Sequence, residues 1–410
     1  MRNVIKISLV TALVLSTVAN GAENIKEAFA NSEVNGEIKA AYINSNFLGS
    51  KESDSVGALG GSLGIITDDI YGLKLGATFQ ASTVLNDGID YTDQSPIPPF
   101  NVNGASAQVN PLNGSGSVLS ELYLEYTLSN TSLKIGRQYI NTPLISSGID
   151  GKSSESILKD SFEAYVLTNT DIPDTTIVAA YINKYQSQTD GLGNVGEFEK
   201  FQDGAASIFI KNESIHDTTL QVQYLKENGI TSATDKDVFY FQGDYKIDGH
   251  TLSAQYLKST DKTQADKAQD GQVVGLKATG PMGIDKLGYL VAATSSTDKN
   301  GAAYTGAGAG TSDTLFSAMP VHGGGVPARA DTDTIVGAVI VPTTIATIIP
   351  YAGKSFSSTH ALGDVTAFGI LGIVPFSKEL LLKVEHEYVT CEELITENTN
   401  TTRLYLSYKF

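Results

Sequence analysis

Short stretches in which apolar and polar side chains alternate recur along most of the chain. At its end Leu404, Leu406, Tyr408 and Phe410 alternate with Arg403, Tyr405, Ser407 and Lys409. Over Tyr71–Ser82, Leu73, Leu75, Ala77 and Phe79 alternate with Lys74, Gly76, Thr78 and Gln80. Leu122, Leu124, Tyr126 and Leu128 do so with Glu121, Tyr123, Glu125 and Thr127. The pattern returns over Thr218–Lys226, His250–Lys258 and Leu380–Tyr388, the last with Lys383, Glu385 and Glu387 on its polar side. Successive side chains of a strand point to opposite faces. Each stretch therefore predicts a strand with one apolar and one polar face. The final strand ends on an aromatic residue, which must be covered, and its open edge must be paired. A closed transmembrane barrel does both, because its last strand pairs with its first.

The connections alternate in length. Turns rich in Asp, Asn, Gly and Pro, the residues that reverse a chain at low cost, fall at 67–70, 129–131, 170–174, 215–217, 247–249, 280–285, near Pro342 and at 375–378. Between them lie longer polar segments at 44–55, 86–117, 141–160, 187–203, 229–236, 261–270, 297–331, 355–362 and 391–400. Short turns on one rim and long loops on the other describe an outer-membrane barrel. The alternation predicts about eighteen antiparallel strands, with sixteen as the runner-up, over residues 34–410. Barrels of this size leave a water-filled lumen. No globular segment precedes the first strand, so narrowing must come from loops folding inward.

Residues 1–22 read as a secretory signal peptide: Arg2 and Lys6, then the apolar Ile7–Val18, then small residues at Ala19–Ala22. Residues 23–33 form a short lead-in, in which Glu23–Ala30 fits two helical turns with Ile25 and Phe29 on one face. Composition then narrows the chemistry. The net charge is −17 over 410 residues, and −19 without the signal, which argues against nucleic acid as a partner. Mean hydropathy is −0.05 and no apolar run of membrane-helix length follows the signal, as expected where only alternate strand residues face lipid. One cysteine, Cys391, forms no internal disulfide, and the five histidines have no metal-ligand spacing. No catalytic motif is present, and Gly306, Gly308 and Gly310 do not sit between a strand and a helix as a phosphate cradle requires. No cofactor is implied. Calcium at the loop carboxylates (Asp87, Asp90 and Asp93; Glu197, Glu199 and Asp203; Glu392, Glu393 and Glu397) is an option without EF-hand-like spacing.

Two features carry a resemblance. The R-L-Y-L-S-Y-K-F ending, with Tyr408 and Phe410, resembles the assembly signal of bacterial outer-membrane barrels. The segment L-K-I-G-R-Q-Y-I-N-T-P-L, followed by a polar loop returning to Ser161–Phe162–Glu163, resembles OprD-like porins. With its signal and its Y-L-E-Y strand, the chain is most similar in layout to the epsilonproteobacterial major outer membrane porins of that group. The resemblance implies an eighteen-stranded barrel whose third loop, here 141–160, folds inward as the constriction.

The residues of that loop suit the role. Asp150, Lys152, Glu155, Lys159 and Asp160 offer both signs of charge, and opposed charges across a narrow lumen filter ions. The alternative is a solvated outer loop. Lys134 and Arg137 precede it; Arg137 breaks the apolar face of Leu133 and Ile135, and an inward turn at Arg137 is expected, since a cation facing mid-bilayer costs about 2–4 kcal/mol. Glu121, Glu125, Glu163, Lys383, Glu385, Glu387 and Arg403 are expected to line the lumen. Carboxylate-preferring OprD-like porins carry a ladder of arginines; this chain has four arginines, of which Arg2 lies in the signal. Acidic residues outnumber basic ones, so a weakly cation-selective porin for ions and small hydrophilic solutes is expected. The expected surroundings are outer-membrane lipid, lipopolysaccharide and the barrel assembly machinery, as a homotrimer or a monomer. A surface adhesin, and at longer odds a barrel enzyme, are the competing functions.

Overall fold

The computed structural model describes residues 21–48, 53–88, 112, 114–228, 235–262, 269–284, 286–298, 301–321, 323, 325–357, 363–393 and 398–410. Residues 1–20, most of the expected signal peptide 1–22, and the loop carboxylates Asp90, Asp93 and Glu397 lie outside them.

Eighteen antiparallel strands close into one sheet. They are β1 (Glu33–Phe47), β2 (Ser53–Ile66), β3 (Leu73–Asp87), β4 (Gly116–Leu128), β5 (Thr131–Gln138), β8 (Ser161–Asn169), β9 (Thr175–Gln186), β10 (Phe198–Asn212), β11 (Thr218–Glu227), β12 (Lys236–Ile247), β13 (His250–Asp261), β14 (Gln272–Pro281), β15 (Gly288–Ser296), β16 (Thr332–Pro342), β17 (Thr347–Ser357), β18 (Val365–Pro375), β19 (Leu380–Cys391) and β20 (Thr399–Lys409). Two short pieces, β6 (Asn141–Thr142) and β7 (Ile145–Ser146), pair with each other inside the third long loop. A helix, α1 (Ile25–Ala30), precedes the barrel and is capped by the Asn24 side chain, which accepts from the Glu27 amide.

Each strand pairs with its neighbour in the chain, and β1 closes the ring on β20 from Glu37↔Lys409 to Phe47↔Thr399. The Gly36 amide donates to the Phe410 carbonyl at 2.9 Å, and the Phe410 amide donates back at 3.1 Å. Alternation decides which face is which. Leu404, Leu406, Tyr408 and Phe410 are 37–49% exposed, whereas Arg403 and Tyr405 are 1% exposed. The apolar face thus looks outward and the polar face inward, as a barrel in lipid requires. Exposed aromatics mark two levels of the outer wall: Tyr165, Tyr181, Tyr224 and Phe239 toward the long loops, Tyr126, Tyr245 and Tyr408 toward the short turns. The short turns use local chemistry: at 248–249, Asp248 and Gly249 both take positive φ (48° and 82°), the geometry of a two-residue hairpin.

Several strands run past their alternating stretch. Asn44 and Ser55, which read as loop, are a ladder pair of β1 and β2. Near the rim both faces meet polar surroundings, so pairing continues after the apolar pattern has stopped.

Among the described residues three buried apolar clusters lie inside the wall, each combining strands with loop residues. Ile140, Leu144 and Ile145 pack with Ala303, Ala307 and Leu315 against Leu225, Val238 and Leu257. Ile157 and Leu158 pack on Ile43, Val56 and Ala58. Met319 and Val326 pack on Val336, Val365 and Val389.

Candidate functional site: two loops locked inside the barrel

The third long loop, 139–160, turns into the lumen and reaches the seam where the barrel closes. Lys39 on β1 is 1% exposed, and its Nζ lies 3.2 Å from Asp150 Oδ1, 3.4 Å from Glu155 Oε1 and 3.1 Å from the Ser156 carbonyl. Lys383 on β19 forms an ion pair with the other oxygen of Glu155. Lys409 on β20 lies 3.1 Å from Asp150 Oδ2. Arg403 donates to the Ser153 carbonyl at 3.0 Å, and Tyr405 OH to the Glu155 carbonyl at 3.1 Å. The polar face of three seam strands therefore serves as a docking plate for residues 150–156. Burial alone would raise the Asp150 carboxyl; Lys39, Lys159, Lys409 and Lys383 outweigh it and hold the group far below the usual carboxylate range.

Asp160 closes the loop. Its carboxylate is fully buried and accepts from Tyr185 OH at 2.5 Å, the Ala309 amide at 2.6 Å and the Gln188 amide at 2.8 Å. Burial pushes its pKa up to about 6, against the opposing pull of those three donors.

The Ala309 contact brings in a second inward loop, 297–331, the longest of the connections. It is stitched to the third loop by a parallel bridge, Ile145↔Ala307, with the Ser146 amide donating to Ala307 at 3.1 Å and the Ala307 amide donating to Leu144 at 3.0 Å. Gly306 and Gly308 make the approach feasible. Both have positive φ, and a Cβ at either would stand 2.2 Å from a carbonyl oxygen of the third loop, Leu144 or Ser146. Asp313, in a single turn at Ser312–Thr314, accepts from Ser153 Oγ at 2.5 Å, Ser154 Oγ at 2.7 Å and the Ser154 amide at 3.1 Å. The glycine run and Asp313 are the site residues that spacing alone does not reveal. A weaker signal is present in the strands: Leu225 and Leu257 sit on the polar-face parity beside Tyr224 and Tyr256, so apolar residues occupy both faces where a loop packs inside.

The remaining charges sort by face. Tyr123 is buried between Glu121 and Glu125 on the inner face of β4, and Lys134 lies over its ring at 3.8 Å. Glu121 accepts from Thr78 at 2.7 Å and Glu125 from Ser132 at 3.0 Å. Lys383, Glu385, Glu387 and Arg403 are all inside and at most 5% exposed; Glu385 is paired across the ladder with Arg403, and Tyr351 OH donates to Glu387 at 2.7 Å. Lys152 and Lys159 are half-buried and form no ion pair among the described residues, and Lys277 lies over the Phe316 ring at 4.1 Å.

Arg137 and Glu163 are corrections to the expected lumenal set. The ladder runs without a register shift through Ile135, Gly136 and Arg137 on both sides of β5, so Arg137 keeps the outward face of Leu133 and Ile135. Glu163 pairs with it and shares that face with Tyr165 and Leu167. The expected inward turn assumed mid-bilayer depth. Arg137 instead lies beyond the outer aromatic level, where an outward cation costs about 0–1 kcal/mol, and its Nε lies 3.8 Å from Glu163.

Among the described residues no three His, Cys, Asp or Glu side chains gather as a metal site. Among the described residues no helix is long and apolar enough to cross a membrane.

No family model and no curated protein sequence matches the chain. Solved structures match it in fold. The outer membrane protein OpdK of Pseudomonas aeruginosa aligns over 93% of this chain and 99% of its own, with a TM-score of 0.70 at 14% identity. OpdQ of the same organism aligns over 94% and 99%, with a TM-score of 0.71 at 13% identity. OccAB4 of Acinetobacter baumannii aligns over 92% and 98%, with a TM-score of 0.68 at 14% identity. These likenesses establish the eighteen-stranded barrel fold.

Proposed function

We propose that the chain is an OprD-like outer-membrane porin that passes ions and small hydrophilic solutes by diffusion through a constriction made by loops 139–160 and 297–331. The observation that carries this is the pair of loops fixed inside a barrel of eighteen strands by ion pairs, hydrogen bonds and apolar packing. A barrel of that size has room for an aqueous path, and the loops narrow it without filling it with a domain. The short-turn rim faces the periplasm and the long loops face outward. Residues 1–22 are the signal that sends the chain there, and the Tyr408–Phe410 ending is what the assembly machinery takes up.

Weak cation selectivity is proposed for simple ions. The molecule is strongly acidic, and like charge at the mouths concentrates counter-ions. Preference stays weak because the acids nearest the constriction are already engaged: Asp150 and Glu155 by lysines, Asp160 and Asp313 by donors. Lys152 and Lys159 remain beside them. No bond chemistry and no cofactor enter this reading.

Swelling of liposomes loaded with the refolded mature barrel tests it. Uptake should fall steeply with sugar size, and Asp313→Ala should raise uptake of the larger sugars. A correctly folded barrel that admits none of the sugars would contradict the porin reading and bring surface adhesion forward.

A further inference from the structure

Four charged residues form one row across the outside of the wall. Arg137 of β5 pairs with Glu163 of β8, Glu163 with Lys184 of β9, and Lys184 with Lys200 of β10. Directly paired residues of antiparallel neighbours share a face. The next row toward the short turns on the same face is Ile135, Tyr165, Tyr181 and Ala206, of which Ile135, Tyr165 and Tyr181 are 41–47% exposed. The charged row therefore sits one step beyond the outer aromatic level, where the acyl chains of the outer leaflet give way to headgroups.

The row has three cations and one carboxylate, in a molecule of net charge −17. Glu163 is bonded by Lys184 at 3.2 Å and approached by Arg137 at 3.8 Å. Lys200 is exposed and engages no carboxylate among the described residues. Beside the row a crevice of about 400 Å³ opens between the wall and the fourth long loop, lined by Ser115, Ser117, Arg137, Asn194, Glu197 and Phe198. The Arg137 guanidinium lies 4.1 Å from the centre of the Phe198 ring, which fixes it at the mouth. Cations at headgroup depth beside a crevice of hydroxyls, an amide, one aromatic ring and the Glu197 carboxylate match a phosphorylated sugar attached to acyl chains: the cations face the phosphate, and the carboxylate accepts from sugar hydroxyls. The lipid-facing wall below supplies the surface for those chains.

We propose that the Arg137–Glu163–Lys184–Lys200 row and the adjoining crevice form a docking site for the phosphorylated glycolipid headgroup of lipopolysaccharide. The proposal rests on the outer-membrane placement and on the long loops facing outward, and it is independent of conductance.

The test uses the delipidated, full-length mature barrel in detergent, with bound lipid counted by native mass spectrometry. The probes are rough lipopolysaccharide, the same lipid after phosphatase treatment, phosphatidylglycerol and inorganic phosphate. Lys200→Gln leaves the Glu163 ion pairs in place and should weaken lipopolysaccharide binding about fivefold. Glu163→Gln removes the carboxylate of the row and should tighten it by a similar factor. Phosphatase treatment should abolish most of the binding, and neither phosphatidylglycerol nor inorganic phosphate should compete. Unchanged affinity in both variants, or equal binding of the dephosphorylated lipid, would overturn the site. Equal binding of phosphatidylglycerol would overturn the assignment to lipopolysaccharide. A change of oligomeric state in the variants without a change in lipid binding would reassign the row to contact between copies of the chain. Channel currents read in the same samples separate loss of this site from loss of the pore.

Discussion

At the scale of single residues, the proposed constriction depends on a few atoms that tie one loop to another. Asp313 accepts three hydrogen bonds from Ser153 and Ser154. At about 1 kcal/mol net for each, Asp313→Ala removes a few kcal/mol of anchoring and should give larger, noisier single-channel currents while the barrel still folds. Gly308→Ala should act in the same direction, because its Cβ would meet the Ser146 carbonyl at 2.2 Å in a backbone with φ of +90°. Asp160 adds a pH dependence with a defined sign. Its folded pKa, near 6, lies above the ordinary value of 3.8, so the folded loop binds the proton more tightly than the unfolded chain. Its contribution to stability is full below about pH 4 and is lost as pH rises through 6, by roughly 3 kcal/mol at most. The thermal midpoint of folded barrel on gels, wild type minus Asp160→Asn, should therefore fall between pH 4 and pH 7. A flat difference would mean that the three donors, and not burial, set the state of that carboxyl.

At the scale of strands and loops, much of the barrel was legible because lipid and water enforce alternation. The strands with clean period two, such as β4 and β20, lie where they were read, and the alternation of turn lengths led to eighteen strands. Arg137 was misplaced for a reason that alternation cannot cure. The residue pattern assigns a face only relative to its neighbours, and the depth that makes an outward cation tolerable depends on tilt and on the aromatic row beside it. The inward path of the third loop could be expected from its charges and a resemblance, but its docking plate could not. Lys39, Lys383 and Arg403 lie far apart in the chain and meet only because β19, β20 and β1 are neighbours at the seam. The inward path of loop 297–331 was not read from the sequence, where Gly306, Gly308 and Gly310 were only set aside as a phosphate cradle; small residues are what allow two backbones to approach inside a crowded lumen. The seam itself makes a prediction. Gly36→Val would place its Cβ 2.6 Å from the Phe410 ring and 2.5 Å from the Ser62 carbonyl. It should lower the yield of folded barrel on refolding, whereas Gly337→Ala, with no heavy atom within 4 Å of its Cβ, should not.

At the scale of the whole molecule, stability and the proposed transport draw on the same residues. The apolar cores lie between the loops and the inner wall, so the structure that narrows the lumen also braces it. The charge of −17 surrounds a constriction whose acids are largely neutralised by lysines and donors. On the proposed porin reading, a long-range pull on cations combined with a locally balanced passage gives a pore that favours cations only slightly. Single-channel current from the refolded mature protein in a planar bilayer, recorded under a salt gradient, tests this directly. The account predicts discrete steps of current with a reversal potential displaced modestly toward that of the cation. Steps displaced toward the anion would contradict the charge argument and point to Lys152, Lys159 and Lys277 as the dominant groups. A correctly folded, heat-modifiable barrel that produces no steps would contradict the pore itself.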